Sequence, residues 1–298
     1  MREQPLVSII MNCYNGEKYL REAIDSVIEQ TYQNWEIIFW NNQSSDKSEE
    51  IFKSYEDRRL KYYFAPKHTM LYEARNYAIN KASGEFYAFL DVDDWWDKEK
   101  LVKQLPLFSD SEVGLVCSNF WVVNEKKGIS KKYWKIRKKT GWILDDLLKD
   151  YFVGLLSIIV RRTVFESLVC GFDPRYHIIG DFDFTIRVSE KWKIEVIQEP
   201  MAHYRLHGDN ESIRRNHILV MELENWHVEM SENPVIANMD GFKRSIFHLE
   251  YMKAVVCVDQ NKYMDAIKIL YSLPLCIEKF KLLFIIIAPN MLVKLLRT

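Results

Sequence analysis

Residues 86–94 read Phe-Tyr-Ala-Phe-Leu-Asp-Val-Asp-Asp: a short apolar run that passes directly into three carboxylates within four positions. An apolar run of this length has the character of a buried strand. The charge begins where the core must stop. Upstream, Tyr72 to Ala82 has helical spacing and Gly84 stops it; before that lie a strand at Leu60 to Phe64 and a helix at Ser48 to Tyr55. Trp35 to Trp40 is another strand, preceded by Tyr19 to Gln30, where Leu20, Ala23, Ile24, Val27 and Ile28 share one helical face. The series starts with a strand at Leu6 to Met11 and a polar turn from Asn12 to Glu17.

Strands and helices that alternate in this way build a parallel sheet with helices on its faces. Ligands of such sheets bind beyond the carboxyl ends of the strands. That rule selects Asn12 to Gly16, Asn41 to Asp46 and Asp91 to Asp94. Beyond Lys100 the alternation loosens into a strand at Val113 to Val123, a basic stretch, an apolar run at Leu155 to Val160 and a helix opening near Asp181. From about Asn210 only helical periodicity remains, which predicts a sheet domain over 1–209 and a helical region over 210–298.

With 298 residues, 48% of them hydrophobic and 28% charged, the chain can bury a full core. Its net charge of -1 offers no general attraction to nucleic acid. Five cysteines without CxxC spacing argue against a disulfide framework or a zinc site, and a cytoplasmic protein is expected. No secretory leader is read at the N-terminus.

Three carboxylates this close repel one another and need a cation or solvent. A hard ion such as Mg²⁺ or Mn²⁺ is held by one or two carboxylates and completes its shell with water and phosphate oxygens. The alternative is a solvated turn in which Asp94 or Asp97 caps the next helix.

The wider pattern resembles glycosyltransferase family 2, whose members are inverting enzymes of GT-A fold that use nucleotide-sugar donors. Val7-Ser8-Ile9-Ile10 followed by Tyr14-Asn15 is similar to its first strand and loop. Glu36-Ile37-Ile38-Phe39-Trp40-Asn41-Asn42-Gln43-Ser44-Ser45-Asp46 stands at its acidic second-strand motif. Ala74-Arg75-Asn76, Ala82-Ser83-Gly84-Glu85 and Leu90-Asp91-Val92-Asp93-Asp94 follow in the family's order, Asp91-Val92-Asp93 being its DXD motif.

The resemblance implies an α/β, Rossmann-like GT-A fold and a Mn²⁺ or Mg²⁺ cofactor. Asp93 is then the principal metal ligand, Asp91 assists at the metal or holds the ribose, and Tyr14, Asn41, Asn42 and Arg75 lie against a nucleotide-sugar donor, a UDP-sugar being expected. It further implies a saccharide or polyprenyl-linked acceptor and work in surface polysaccharide or lipopolysaccharide assembly. Two departures stand out. The family's aspartate pair is Asn41-Asn42 here, and the usual proline of the first loop is Asn12, which suggests a different turn.

Direct displacement needs a general base for the acceptor hydroxyl. Ile179-Gly180-Asp181-Phe182-Asp183 resembles the family's base-bearing Glu-Asp motif with its glutamate replaced by Gly180, which assigns the base to Asp181. A helix N-cap is the competing role for Asp181. Asp183, about 200° further round a helix, cannot face the same site. In the family, a histidine in a Tyr-Arg-x-His setting contributes to the metal or the donor phosphates, which falls on His207.

Trp95 and Trp96 can offer flat faces to an acceptor sugar or pack in the core. From Glu125 to Lys139 eight of fifteen residues are basic, interleaved with Tyr133, Trp134 and Ile136. This is either a solvated loop or a contact with anionic lipid at the inner face of the membrane. The tail from 280 to 296 is too short to span a bilayer, which takes about 20 apolar residues, and suits a membrane-surface anchor, a homodimer contact or core. Two other functions share parts of the pattern. A sugar-phosphate nucleotidyltransferase needs a glycine-rich first loop, where this chain has only Gly16; a sugar- or nucleotide-binding module that has lost catalysis is suggested by Asn41-Asn42 and Gly180.

Overall fold

The computed structural model describes residues 4–208, 210 and 214–287. The chain divides into two units, one made of residues 1–144 and 152–208, the other of 145–151 and 209–298. The first is built on a nine-stranded sheet. β1 (Val7–Cys13) lies between β2 (Trp35–Asn41) and β4 (Phe86–Phe89), and β3 (Leu60–Phe64) flanks β2; all four run parallel.

Helices α1 (Leu20–Ile28), α2 (Ser48–Lys53) and α3 (Leu71–Ile79) make the crossovers. Short α4 (Lys100–Gln104) follows β5 (Trp95–Trp96). The rest of the sheet is mixed. β8 (Ile159–Arg161) is antiparallel to both β4 and β6 (Val113–Asn124), β6 runs parallel to β9 (Lys193–Arg205), and β5 closes antiparallel on β9. The expected α/β architecture holds, with the parallel half carrying the strand–helix alternation. On one face, Val7, Ile9, Met11, Ile37, Phe39 and Ala88 bury against Leu20, Ala23, Ile24 and Val27 of α1. Removing that much apolar surface from water is the main driving force for the layer.

Two sequence expectations need correction, and one apolar run gains its structure. β1 continues to Cys13, so Asn12 lies inside the strand opposite Trp40, and the site loop begins at Tyr14. A polar residue at a strand end reads as turn, yet the parallel ladder to β2 carries on through it. The apolar run at Leu155 to Val160 is a 3-10 turn (Leu155–Ser157) followed by the short β8. The basic stretch is partly ordered as β7 (Ile129–Lys132), which hairpins onto β6; Trp134 is buried, and Tyr133 stacks on Phe120 with ring centroids 4.4 Å apart. Two short helices, α5 (Leu144–Lys149) and α6 (Arg162–Ser167), lead to α7 (Gly180–Ser189).

The second unit is helical: α8 (Asn216–Ser231), α9 (Asp240–Asp259), α10 (Tyr263–Ser272) and α11 (Ile277–Ile287). Ala254, Val258, Ala266, Leu273, Leu282 and Ile285 form its core. Residues 145–151 join it, with the Gly241 N–H donating to Asp145 Oδ1 at 2.7 Å. Among the described residues no helix is long and apolar enough to cross a membrane. Residues 288–296 of the tail lie outside the described residues; within α11, Ile277, Phe280, Phe284 and Ile287 are exposed.

Candidate active site

The carboxyl ends of β1, β2 and β4 present three loops on one edge of the sheet. They interlock: the Gly16 N–H donates to Ser48 Oγ at 3.0 Å, that of Asn15 to Ser44 Oγ at 3.0 Å, and a Cβ on Gly16 would lie 2.6 Å from Val92 of the acidic run. Asn15 and Gln43, in two of these loops, hold positive φ angles of 54° and 68°. Such conformations persist for non-glycine residues only where surroundings enforce them, and they concentrate at sites.

Each carboxylate of the acidic run has a different partner. Asp91 accepts from the Arg75 guanidinium at 2.6 Å. Asp93 Oδ2 lies 2.9 Å from His207 Nε2. Asp94 is buried and its Oδ1 accepts the Arg205 backbone N–H at 2.9 Å. Burial, then the charges of Asp93 and Asp91, drive the Asp94 carboxyl well above the usual carboxylate range. Asp94 therefore serves the turn itself.

Arg205 was not singled out from sequence, although it sits in the quoted Tyr-Arg-x-His setting. Its guanidinium is fully buried, pairs with Glu22 and Glu125, and donates from Nε to the Asp93 carbonyl at 2.9 Å. It lies 4.3 Å from the Tyr19 ring centroid and 4.4 Å from that of Trp95. A buried cation needs that many acceptors and rings. Burial along β9 does not alternate cleanly and its pairing with β6 shifts register, so no local periodicity marks Arg205 as buried.

Asp181 stands in the first turn of α7, with Ile179 at the N-cap, and the backbone N–H groups of Asp181 and Phe182 favour its charged form. The Tyr72 hydroxyl lies 3.0 Å from both Asp181 Oδ1 and the Ile178 carbonyl, and Arg75 sits 4.9 Å from the Tyr72 ring centroid. Asp91, Arg75, Tyr72 and Asp181 thus form a continuous chain of contacts from the end of β4 to the start of α7. Burial raises the Asp181 carboxyl above its ordinary value, while Arg75 and the Tyr72 hydrogen bond oppose the rise. Burial alone would weaken the Arg75 charge, but Asp91 and its neighbours more than offset it. Gly180 is explained by Tyr72: a Cβ there would meet the ring at 2.5 Å. Asp183 is buried and bonded to Arg187, away from Asp181 as its helical phase requires.

Asn41 and Asn42 behave otherwise than expected of residues turned toward a donor. The Asn41 amide donates to the Tyr62 hydroxyl at 3.0 Å and its oxygen accepts the Ser44 N–H at 2.8 Å. Asn42 donates to the Thr69 carbonyl at 2.8 Å and accepts the Thr69 N–H at 3.2 Å. Both side chains are buried, and Asn42 needs a donor and an acceptor together, which no carboxylate provides. Tyr14, by contrast, is 57% exposed, with its ring centroid 4.5 Å from that of His68. Trp96 is turned into the core, its indole N–H donating to the Leu156 carbonyl at 2.9 Å, so it offers no face to an acceptor. Trp95 stacks on His203, centroids 4.7 Å apart and planes within 9°.

Among the described residues no set of three His, Cys, Asp or Glu side chains is gathered to hold a metal ion. Asp93 and His207 do meet as a pair, which fits an ion that takes its other ligands from phosphate and water.

The family model for glycosyl transferase family 2 matches residues 8–168. The chain belongs to that family. Its relatives include a putative teichuronic acid biosynthesis glycosyltransferase, TuaG, of Bacillus subtilis, 30% identical over 86% of this chain and 94% of that one. A second is WfgD of Escherichia coli, a UDP-Glc:alpha-D-GlcNAc-diphosphoundecaprenol beta-1,3-glucosyltransferase, 35% identical over 53% of this chain and 61% of its own. Two solved structures share the fold of this glycosyltransferase. TarS 1-349 of S. aureus with UDP-GlcNAc has a TM-score of 0.63 at 19% identity, covering 83% of this chain and 70% of that one. The mannosyltransferase PcManGT of Pyrobaculum calidifontis with GDP-Man and Mn2+ has a TM-score of 0.65 at 16% identity, covering 91% and 75%.

Proposed function

We propose that this glycosyltransferase moves a sugar, with inversion at its anomeric carbon, from a nucleoside-diphosphate sugar to a hydroxyl of a saccharide or polyprenyl-linked acceptor, in assembly of a cell-surface polysaccharide. A UDP-sugar is the expected donor. The observation that carries the reading is the meeting of Asp93, from the end of β4, with His207, from beyond β9, beside an Asp91 already neutralised by Arg75. Two ligand-type side chains at the carboxyl edge of a parallel sheet suit a donor diphosphate bound through Mn²⁺ or Mg²⁺. The ion supplies charge neutralisation on the leaving phosphate. Arg75, fixed between Asp91 and Tyr72, holds the carboxylate edge in place against the nucleotide. Asp181 takes the acceptor proton at its carboxylate; its raised proton affinity suits a base, provided it is ionised when the acceptor arrives.

The names of TuaG and WfgD support the polysaccharide setting and the lipid-linked acceptor. The exposed apolar side of α11 and the exposed Ile136 among the lysines of 125–139 support a stay at the inner membrane face. Neutralising four of those lysines is expected to weaken binding to anionic vesicles; unchanged binding would remove that surface from the proposal.

The central test is transfer from nucleotide sugars with added Mn²⁺, comparing wild type with Asp181→Ala and reading the product anomer by NMR. Turnover with an inverted anomer, lost in the variant and with EDTA, is the expected result. Nucleotide binding without turnover of any donor would leave a binding module instead.

A further inference from the structure

The Asn41 and Asn42 side chains are occupied by Tyr62, Ser44 and Thr69, so neither presents an acceptor to a nucleobase. The loop after β3 is instead braced by the Asn41 backbone and the Asn42 side chain. The Ala65 N–H donates to the Asn41 carbonyl at 2.9 Å, and both ends of the Asn42 carboxamide clamp the Thr69 peptide. Between those anchors stands His68, exposed, with Nδ1 2.9 Å from the Asn42 carbonyl oxygen and its ring against that of Tyr14. Tyr14, Asn42 and His68 thus follow the carboxyl ends of three adjacent parallel strands.

The partner fixes the tautomer. A carbonyl can only accept, so Nδ1 carries the hydrogen, and the neutral ring keeps its lone pair on Nε2. The result is a single acceptor, held in orientation by the backbone of Asn42, next to an exposed aromatic face. Resting on the nucleotide-sugar reading above, we propose that His68 reads the donor's base, accepting a ring N–H of lactam type while Tyr14 supplies the stacking face. Uracil and thymine at N3 and guanine at N1 carry that hydrogen. Cytosine at N3 and adenine at N1 carry a lone pair there, which would face the Nε2 lone pair.

The test is the affinity of the full chain, with Mn²⁺ present, for UDP, dTDP, GDP, CDP and ADP, by calorimetry. Wild type is expected to bind the first three more tightly than the last two. His68→Phe keeps the ring and removes the acceptor; it is expected to weaken UDP by about 5–10-fold, the worth of one hydrogen bond, and to lower the UDP-to-CDP ratio by the same factor. His68→Gln, whose carbonyl can accept, should restore part of that ratio. Tyr14→Ala loses stacking and is expected to weaken all five together. Parallel weakening of all five in His68→Phe, an unchanged ratio, or a wild type indifferent to the base would overturn the role of His68 alone. A wild type that binds none of the five would instead overturn the nucleotide-sugar reading.

Discussion

The turns that follow β2 and β4 occupy equivalent places beside β1, yet one is closed and the other remains charged. Asn41 and Asn42 spend their donors and acceptors on Tyr62, Ser44 and Thr69. Asp91 and Asp93 accept only, and they draw Arg75 and His207 from other elements. Carboxamides can satisfy one another's loops without charge; carboxylates demand cations. The first turn therefore shapes a neighbouring loop, while the second holds chemistry.

Substitutions that exchange the two kinds of group should separate them. Asp93→Asn keeps the shape and removes the charge; transfer rate is expected to fall by about 10²–10³-fold, the usual loss of one transition-state electrostatic contact, with thermal stability retained. Initial rates beside a melting curve check this, and a rate within threefold of wild type would move the chemistry elsewhere. The reverse exchange, Asn42→Asp, sets a carboxylate against the Thr69 carbonyl. Urea unfolding should show a loss of about 1–3 kcal/mol, the cost of a buried acceptor left unpaired.

Tyr72→Phe acts more gently, through pH. Asp181 must be ionised to serve as base, so the rate should decline as pH falls through its value, which burial raises. The Tyr72 hydrogen bond lowers that value, and its removal should move the acid limb to higher pH. A limb that stays put would detach Tyr72 from the base.

Much of the fold was legible because apolar periodicity is local. The alternation from β1 to β4, the carboxyl-edge rule and the acidic run needed no partner to be read. What escaped depended on distant contacts. Nothing around Asn42 announces Thr69, and Gly180 makes sense only beside the Tyr72 ring. Trp96 looked like its neighbour Trp95 because a two-residue strand gives no periodicity from which to choose the buried side. Arg205 was hidden in a motif quoted for its histidine.

Arg205 also sets a timetable. Its backbone contact with Asp94 spans 111 positions, and the approach of His207 to Asp93 spans 114. At ordinary synthesis speeds, that distance corresponds to roughly ten seconds between the emergence of the carboxylates and that of their partners. Throughout that interval β1 to β4 can pair while Asp93 and Asp94 wait. The turn that bears the carboxylates is thus among the last parts of the first unit to be organised. A nascent chain halted between the two segments would display the sheet's edge without its chemistry.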